Sequence, residues 1–596
     1  MTTEPVASPP APMTLLAVDR RLAQWLGRRE FAQALAWLDT VGAAHAQPAL
    51  PLELRRVRVA LAGRLVEPAA AAARRALAAG AGEALHHLAL ALLARREQRW
   101  DDALAALAQG LQQPGTHPDL YLEQGELLLQ RGRHAAAAQA LEAALNLLPD
   151  SLRAASGLAS AVAALGDGAR AALIVQQMVA RAPATADAQF ALGNALRGLQ
   201  QLPLALSAFE RASTHDPARP GPWVNRGALL RRLGRSEEAL QAYAQAIALD
   251  PASAIAYANR ANLLRAMERL EEAVQDYDRA LAIAPQDAQV HWNKATTLLA
   301  AGHLAEGFAE YEWRWQWSGF PTRRPGFAQP AWQGEPIPGK TLLVHTEQGA
   351  GEVIQFLRFV PALAASLQGQ GVRLLLQVPA PLQALVAAQA WPGLAAVLGA
   401  DAPLPPFDRH VAIGSLPLRL GITTLEMLPA QPSLRTATPQ QPGDGRLRVG
   451  LAWDSGTARD PVHGLRWDQV QPLLDLPGIA WFSLQPPGHG APPGMPPIEP
   501  AGSGFTDWNA VAQAMAGLDL VVTACSATAH LAGALGKPVW VLLAHEARWH
   551  WVAHQREGNP WYPSARLFRQ ERAGEWGDAV ARLCEALARQ AGQAPA

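Results

Sequence analysis

The chain has 596 residues, 51 Lys+Arg against 51 Asp+Glu, and 49% hydrophobic residues. That length builds several domains, and the balanced charge excludes recruitment by bulk electrostatics to nucleic acid or a lipid surface. The only cysteines are Cys525 and Cys584, so no disulfide framework exists, and no apolar run is long enough to span a bilayer. The expected location is cytoplasmic.

Residues 1–13 are rich in Pro, Ala and Ser and read as a disordered tail, not a signal peptide. Residues 14–116 are Ala- and Leu-rich and are expected to form divergent helical repeats, paired near 14–45, 50–79 and 82–113. From 117 to 318 the repeat is regular. Pro149, Pro183, Pro217, Pro251 and Pro285 are 34 apart; Ala137, Ala171, Ala205, Ala239 and Ala273 precede them by twelve. Small residues precede them by twenty-four, at Gly125, Ala159, Gly193, Gly227 and Ala261. Two antiparallel helices packed at small residues and closed by proline explain this spacing, which resembles the tetratricopeptide repeat (TPR). A sixth unit starts at Gln286 and loses phase in Tyr311, Trp313 and Trp315.

Asn225, Asn259 and Asn293 are also 34 apart, as are Arg231 and Arg265. A row of amides on the concave face of a repeat superhelix binds an extended peptide backbone without reading its sequence. The row resembles the asparagine ladder of O-GlcNAc transferases, so these five residues are the candidate acceptor-binding set for a protein partner.

Residues 319–340 form a linker. Two α/β halves follow, expected at 341–440 and 446–590. In the first, Thr341–His345, Val372–Val378 and Arg409–Ile413 read as strands. In the second, Arg448–Trp453, Ile479–Ser483, Val521–Thr523 and Pro538–Leu543 do. Ser526 is placed as the N-cap of a helix filled by Ala527 to Leu535, and the free N–H groups of such a helix start suit a phosphate. Lys537, at the far end of that helix, is given a structural role.

Five segments together carry a family resemblance: YEWRW (311–315), HTEQGAGEVIQFLRF (345–359), RVGLAWDSG (448–456), FSLQ (482–485) and TACSATAHLAGALGKPVWVLL (523–543), with NPWYPSARLFRQ (559–570) after them. They resemble bacterial TPR proteins with a glycosyltransferase domain of the GT-B fold, related to heptosyltransferases. The fold class implied is an α-solenoid followed by two Rossmann-like subdomains facing a cleft. The resemblance implies metal-independent, inverting transfer of a sugar from a nucleotide-sugar to Ser or Thr of a protein, flagellin being one candidate, with no cofactor.

By position, the resemblance puts Ser526, Ala527, Thr528 and His530 on the donor phosphates, with Trp453, Ser455, Arg466 and Gln485 on the loops beside them. The family's Gly-x-Gly-Asp is here Gly349-Ala350-Gly351-Glu352, which makes Glu352 the candidate general base and His345 its rival. The family's Asp-Thr is here Cys525-Ser526, removing an acid from the donor turn. Two alternatives stand beside the protein glycosyltransferase. One is a TPR scaffold with a degenerate transferase domain; the other is a transferase acting on lipopolysaccharide or another glycan.

Overall fold

The computed structural model of the chain describes residues 18, 21–22, 25–26, 30–43, 50–78, 83–115, 117–429, 431–437, 445–453, 465–485, 498–501, 505, 507–551 and 559–592. It divides into two compact units, residues 1–249 and 250–596.

The first unit is built of paired helices, from Phe31–Ala43 to Ser236–Leu249. The small residue of each first helix is small because the residue sixteen further on lies against it. A Cβ on Gly193 would stand 2.6 Å from the Phe209 ring, and one on Gly227 would stand 2.7 Å from the Tyr243 ring. Each helix pair turns through one residue with left-handed backbone. These residues are Arg64, Gln98, Gly132, Gly166, Gln200 and Gly234, and in the second unit Glu268 and Gly302. They are all 34 apart. The repeat therefore reaches back into the stretch read as divergent, where Arg64 and Gln98 hide a position that glycine usually marks.

The second unit starts with helices Ala254–Ala266, Leu270–Ile283, Ala288–Ala301 and the short Leu304–Tyr311. The last is cut to eight residues and runs into a 3-10 turn, Glu312–Trp315. Two parallel sheets follow. One has the order β3-β2-β1-β4, with β1 Thr341–His345, β2 Arg373–Val378, β3 Leu394–Gly399 and β4 Arg409–Ala412. The other has the order β10-β9-β8-β5-β6-β7. Its strands are β5 Leu447–Ala452, β6 Ile479–Ser483, β7 Glu499–Pro500, β8 Leu520–Ala524, β9 Val539–Leu543 and β10 Ala565–Arg569. Continuous apolar runs such as VWVLL suit strands covered on both faces.

Strand order reverses between β1 and β4 and again between β5 and β8, and ligands of parallel sheets collect outside the carboxyl ends at such points. One apolar core joins Phe308 and Tyr311 of the last repeat to Val344 of β1, Val521 of β8 and Tyr562. After β1 come two short helices, Ala350–Phe356 and Phe359–Ser366. No helix among the described residues is long and apolar enough to cross a membrane.

Candidate functional site

A cavity of about 800 Å³ lies in the second unit at the carboxyl ends of β1, β8, β9 and β10. The loop after β1 gives Gln348 to Glu352, and the turn after β8 gives Cys525, Ser526 and Ala527, with His530 one helical turn on. His545 to His550 follow β9, and Arg569 ends β10. The repeat helices close the wall with Arg265, Glu268, Trp292, Asn293 and Thr296. Trp317, just after the 3-10 turn, also lines it and stacks on Trp292, with centroids 5.4 Å apart.

The YEWRW segment holds the first of these loops. Arg314 is fully buried and donates to Glu347 (Nε–Oε1 3.0 Å), to Ser415 Oγ at 2.8 Å and to the Tyr311 carbonyl at 3.0 Å. Glu312 and Arg419 complete the network, with 3.0 Å between them. Removing one partner of such a buried pair costs roughly 3–5 kcal/mol. The turn leading to Glu352 is thus pinned by the 3-10 turn that ends the last repeat and by the segment after β4.

Glu352 sits in the first turn of the Ala350–Phe356 helix, and its Oε1 accepts from Arg548 at 2.8 Å. Across from it starts the Ala527–Ala534 helix, with Ser526 at the N-cap position as read from sequence. The hydroxyl does not cap; it bonds to Thr523 Oγ1 at 3.1 Å instead. The two helix starts meet at Gly351, where a Cβ would lie 3.3 Å from Ala527 Cα and 3.0 Å from the His530 ring.

Behind His530 runs a buried chain of polar groups. Arg358 lies over the Tyr562 ring, and the Tyr562 hydroxyl is 2.9 Å from His530 Nδ1. His530 Nε2 is 3.2 Å from His550 Nε2. Burial, then the Arg358 and Arg548 charges, pushes His530 down to about 3. Burial, then His530 and Arg548, holds His550 well below the usual imidazole value. Both rings are neutral at pH 7. Tyr562 then donates to His530 Nδ1, and His530 Nε2–H donates to His550. His550 Nδ1 is left carrying its proton, buried and without a partner among the described residues.

Charges of both signs face the cavity. Glu268 Oε1 lies 3.7 Å from Arg569, and burial pushes the carboxyl up. Cys525 Sγ accepts from Trp551 Nε1 at 3.1 Å, and burial pushes the thiol up, so it is uncharged at pH 7. Among the described residues no group of three or more His, Cys, Asp or Glu is placed to hold a metal ion.

The cavity brings together Glu352, Ser526, Ala527, His530, Arg265 and Asn293 of the residues singled out from sequence. Others lie elsewhere. His345 is buried, 3.2 Å from His410 and edge-on to Phe327, and is not in the cavity wall. Thr528 is buried within its helix, outside the wall, although it is two residues from Ser526. Trp453 packs in the core of the six-stranded sheet against Trp467, 5.1 Å away. Gln485 is buried two residues beyond β6 and outside the wall. Arg466 is exposed and binds Asp468 through two hydrogen bonds of 3.0 and 2.9 Å, so its charge is already matched. Ser455 lies outside the described residues. Lys537 donates to the carbonyls of Ala516 and Leu518, a structural role as read.

Asn225 is tied to Asn194 and Arg197, and Asn293 to Asn262, through partners 28 to 31 residues apart. Asn259 is half-buried and outside the cavity wall, and Arg231 is exposed. The sequence reading missed Asn194 and Asn262, which sit three positions after the 34-residue asparagine phase. It also missed Arg548, Trp549 and His550, whose loop has no periodic signal.

Comparison with known proteins identifies the repeats. Residues 254–287 and 122–185 match tetratricopeptide repeat families, and residues 227–264 match a TPR repeat family. The chain therefore carries tetratricopeptide repeats. It is 29% identical over 296 residues to Protein FlbA of Caulobacter vibrioides, covering 43% of this chain and 48% of that protein. The chain thus matches about half the length of this curated relative. Among solved structures, it is similar to YrrB, a TPR protein with an unusual peptide-binding site, at 24% identity and a TM-score of 0.22, over 29% of this chain and 89% of that one. It is also similar to TTC0263, a thermophilic TPR protein in Thermus thermophilus, at 24% identity and a TM-score of 0.24, over 36% of this chain and 99% of that one.

Proposed function

We propose that the α/β part is a GT-B glycosyltransferase that moves a sugar from a nucleotide-sugar to Ser or Thr of a protein brought in by the repeats. The observation that carries this reading is one cavity walled by three sources: a carboxylate after β1, a helix start after β8, and repeat helices bearing Asn293 and Arg265. In this reading the diphosphate lies at the Ser526 helix start, whose free N–H groups and dipole favour an anion. The acceptor hydroxyl oxygen attacks C1 of the sugar. The bond from C1 to the diphosphate breaks, and the nucleoside diphosphate leaves with its electron pair. The hydroxyl proton passes to Glu352 Oε2, since Oε1 is held by Arg548.

The test is incubation of the full chain with labelled nucleotide-sugars and candidate acceptors, flagellin among them. A labelled protein band that disappears with Glu352→Gln supports the reading; no labelled band with any donor sinks it. A second reading, a repeat scaffold with an inactive α/β part, draws support from Cys525, a neutral thiol where the resembled family has an acid. It predicts that no nucleotide-sugar binds. Calorimetric binding that is lost in His530→Ala would reject it.

A further inference from the structure

One three-residue arrangement occurs twice in the repeats, 68 residues apart, and its cation ends up in different places. In the first unit Asn194, Arg197 and Asn225 close on themselves. Arg197 donates to Asn194 Oδ1 at 3.2 Å and to Asn225 Oδ1 at 3.4 Å, and Asn225 Nδ2 donates to Asn194 Oδ1 at 3.2 Å. The equivalent residues in the second unit are Asn262, Arg265 and Asn293. Asn293 Nδ2 again donates to Asn262 Oδ1, at 3.1 Å. The other bond to that oxygen comes from the hydroxyl of Tyr277, 2.7 Å away. Tyr277 is fully buried, and its equivalent in the first arrangement is Phe209, which has no hydroxyl.

An amide oxygen has two lone pairs, and here both are taken. Arg265 therefore lacks the counterpart of the closer of the two acceptors that hold Arg197, and among the described residues it makes no hydrogen bond to Asn293 Oδ1, the counterpart of the other. Among the described residues no carboxylate pairs with it, its Nε is buried without a hydrogen bond, and it stands in the cavity wall. The nearby Glu268 faces Arg569 instead. A half-buried guanidinium with an unmet N–H is costly unless something accepts from it, and the groups that suit its planar fork are phosphate and carboxylate.

The geometry points to Arg265 as the binding residue for a small oxyanion, phosphate or carboxylate, inside the cavity, with the Tyr277 hydroxyl as the group that keeps the guanidinium there. This does not require sugar transfer. It requires only the cavity and a released cation.

The test is calorimetric titration of the full chain with inorganic pyrophosphate and, separately, with malonate. At least one anion binds, and Arg265→Gln weakens it about tenfold or more, equivalent to 1.4 kcal/mol. Tyr277→Phe copies Phe209 and frees Asn262 Oδ1. Arg265 then turns back to the amide, and the affinity falls several-fold with the cation still in the chain. Arg279→Gln, an exposed charge on a neighbouring helix, leaves the affinity unchanged. Preference for pyrophosphate assigns a phosphate ligand; preference for malonate assigns a carboxylate. Failure of both anions to bind, or equal affinity in wild type, Arg265→Gln and Tyr277→Phe, overturns the proposal. A chain that binds anion through Arg265 but transfers no sugar retires the transferase reading and leaves this one standing.

Discussion

Glu268 puts a carboxylate 3.7 Å from the Arg569 guanidinium while holding a left-handed backbone, φ 58°. Of its equivalents, Gly132, Gly166, Gly234 and Gly302 are glycines, for which that conformation is free of cost, while Arg64, Gln98 and Gln200 carry a side chain there as Glu268 does. A side chain in this region costs about 1 kcal/mol or more. The repeat therefore carries backbone strain at the one turn whose side chain enters the cavity. Replacing Glu268 by Gly and by Ala separates the two effects, because both remove the carboxylate and only Gly relieves the turn. Glu268→Gly unfolds at a higher urea midpoint than Glu268→Ala, by about 1 kcal/mol. That order is the reverse of an ordinary helix position. Equal midpoints would mean that the turn stores no strain.

Among the described residues, Glu352 is the only cavity carboxylate that also stands at the start of a helix facing the Ser526 turn. Glu352→Gln keeps the shape and removes the proton acceptor. Under the transferase reading, turnover falls by roughly 10²–10⁴-fold while nucleotide-sugar affinity stays within a few-fold. The exposed bond to Arg548 contributes little to stability, about 0–1 kcal/mol, so the thermal midpoint holds. Rates and affinities measured side by side check this. Turnover that survives the substitution removes Glu352 from the chemistry.

What could be read in the sequence follows from what leaves a periodic mark. The 34-residue spacing marked the repeats because each small residue must meet a large one sixteen further on, as Gly193 meets Phe209. The inner strands β1, β8 and β9 stood out as apolar runs. β3 and β10 did not, because each is an edge strand, half-exposed and less apolar. Loops at the carboxyl ends of strands could be named as site loops, yet pattern does not say which way a side chain turns. Hence Ser526 and His530 reach the cavity while Thr528 between them is buried, and His345 at the end of β1 turns to His410. Arg548 left no mark, since its partner Glu352 is 196 residues away.

Gly351 sets how closely the two α/β halves approach. A methyl group there would meet the His530 ring at 3.0 Å and Ala527 Cα at 3.3 Å, and the latter is backbone that cannot rotate aside. Gly351→Ala forces the two helix starts apart by a few tenths of an ångström. The expected loss is about 1–3 kcal/mol, as for overpacked cores, offset in part by better helix propensity. Gly351→Val is worse. Urea midpoints report the strain, and binding of nucleotide-sugar or pyrophosphate reports the displaced Ser526 turn. A Gly351→Ala chain with wild-type midpoint and affinity would show that the gap yields freely.

Three buried histidines make the fold sensitive to mild acid. Burial pushes His345 and His530 down to about 3, and His550 also lies far below its ordinary value. In the unfolded chain each returns to about 6.5. Between those values the unfolded state binds protons that the folded state refuses, so stability is complete above about pH 6.5 and is lost as pH falls toward 3. Buried Glu268 acts with the opposite sign, because burial raises its carboxyl and its protonation favours the folded form at low pH. The histidines, whose unfolded value is about 6.5, drive the decline as pH falls below it. His345 is the cleanest probe. It faces His410, Arg314 and the rings of Phe327 and Trp315, outside the cavity wall, and a phenyl ring suits that surrounding. His345→Phe reduces the slope of unfolding free energy against pH by one proton in that window and leaves the slope above pH 7 unchanged. Urea titrations at pH 7.5, 6.0 and 5.0 measure both slopes. Parallel curves for the two chains would mean that the buried imidazole accepts its proton as readily folded as unfolded.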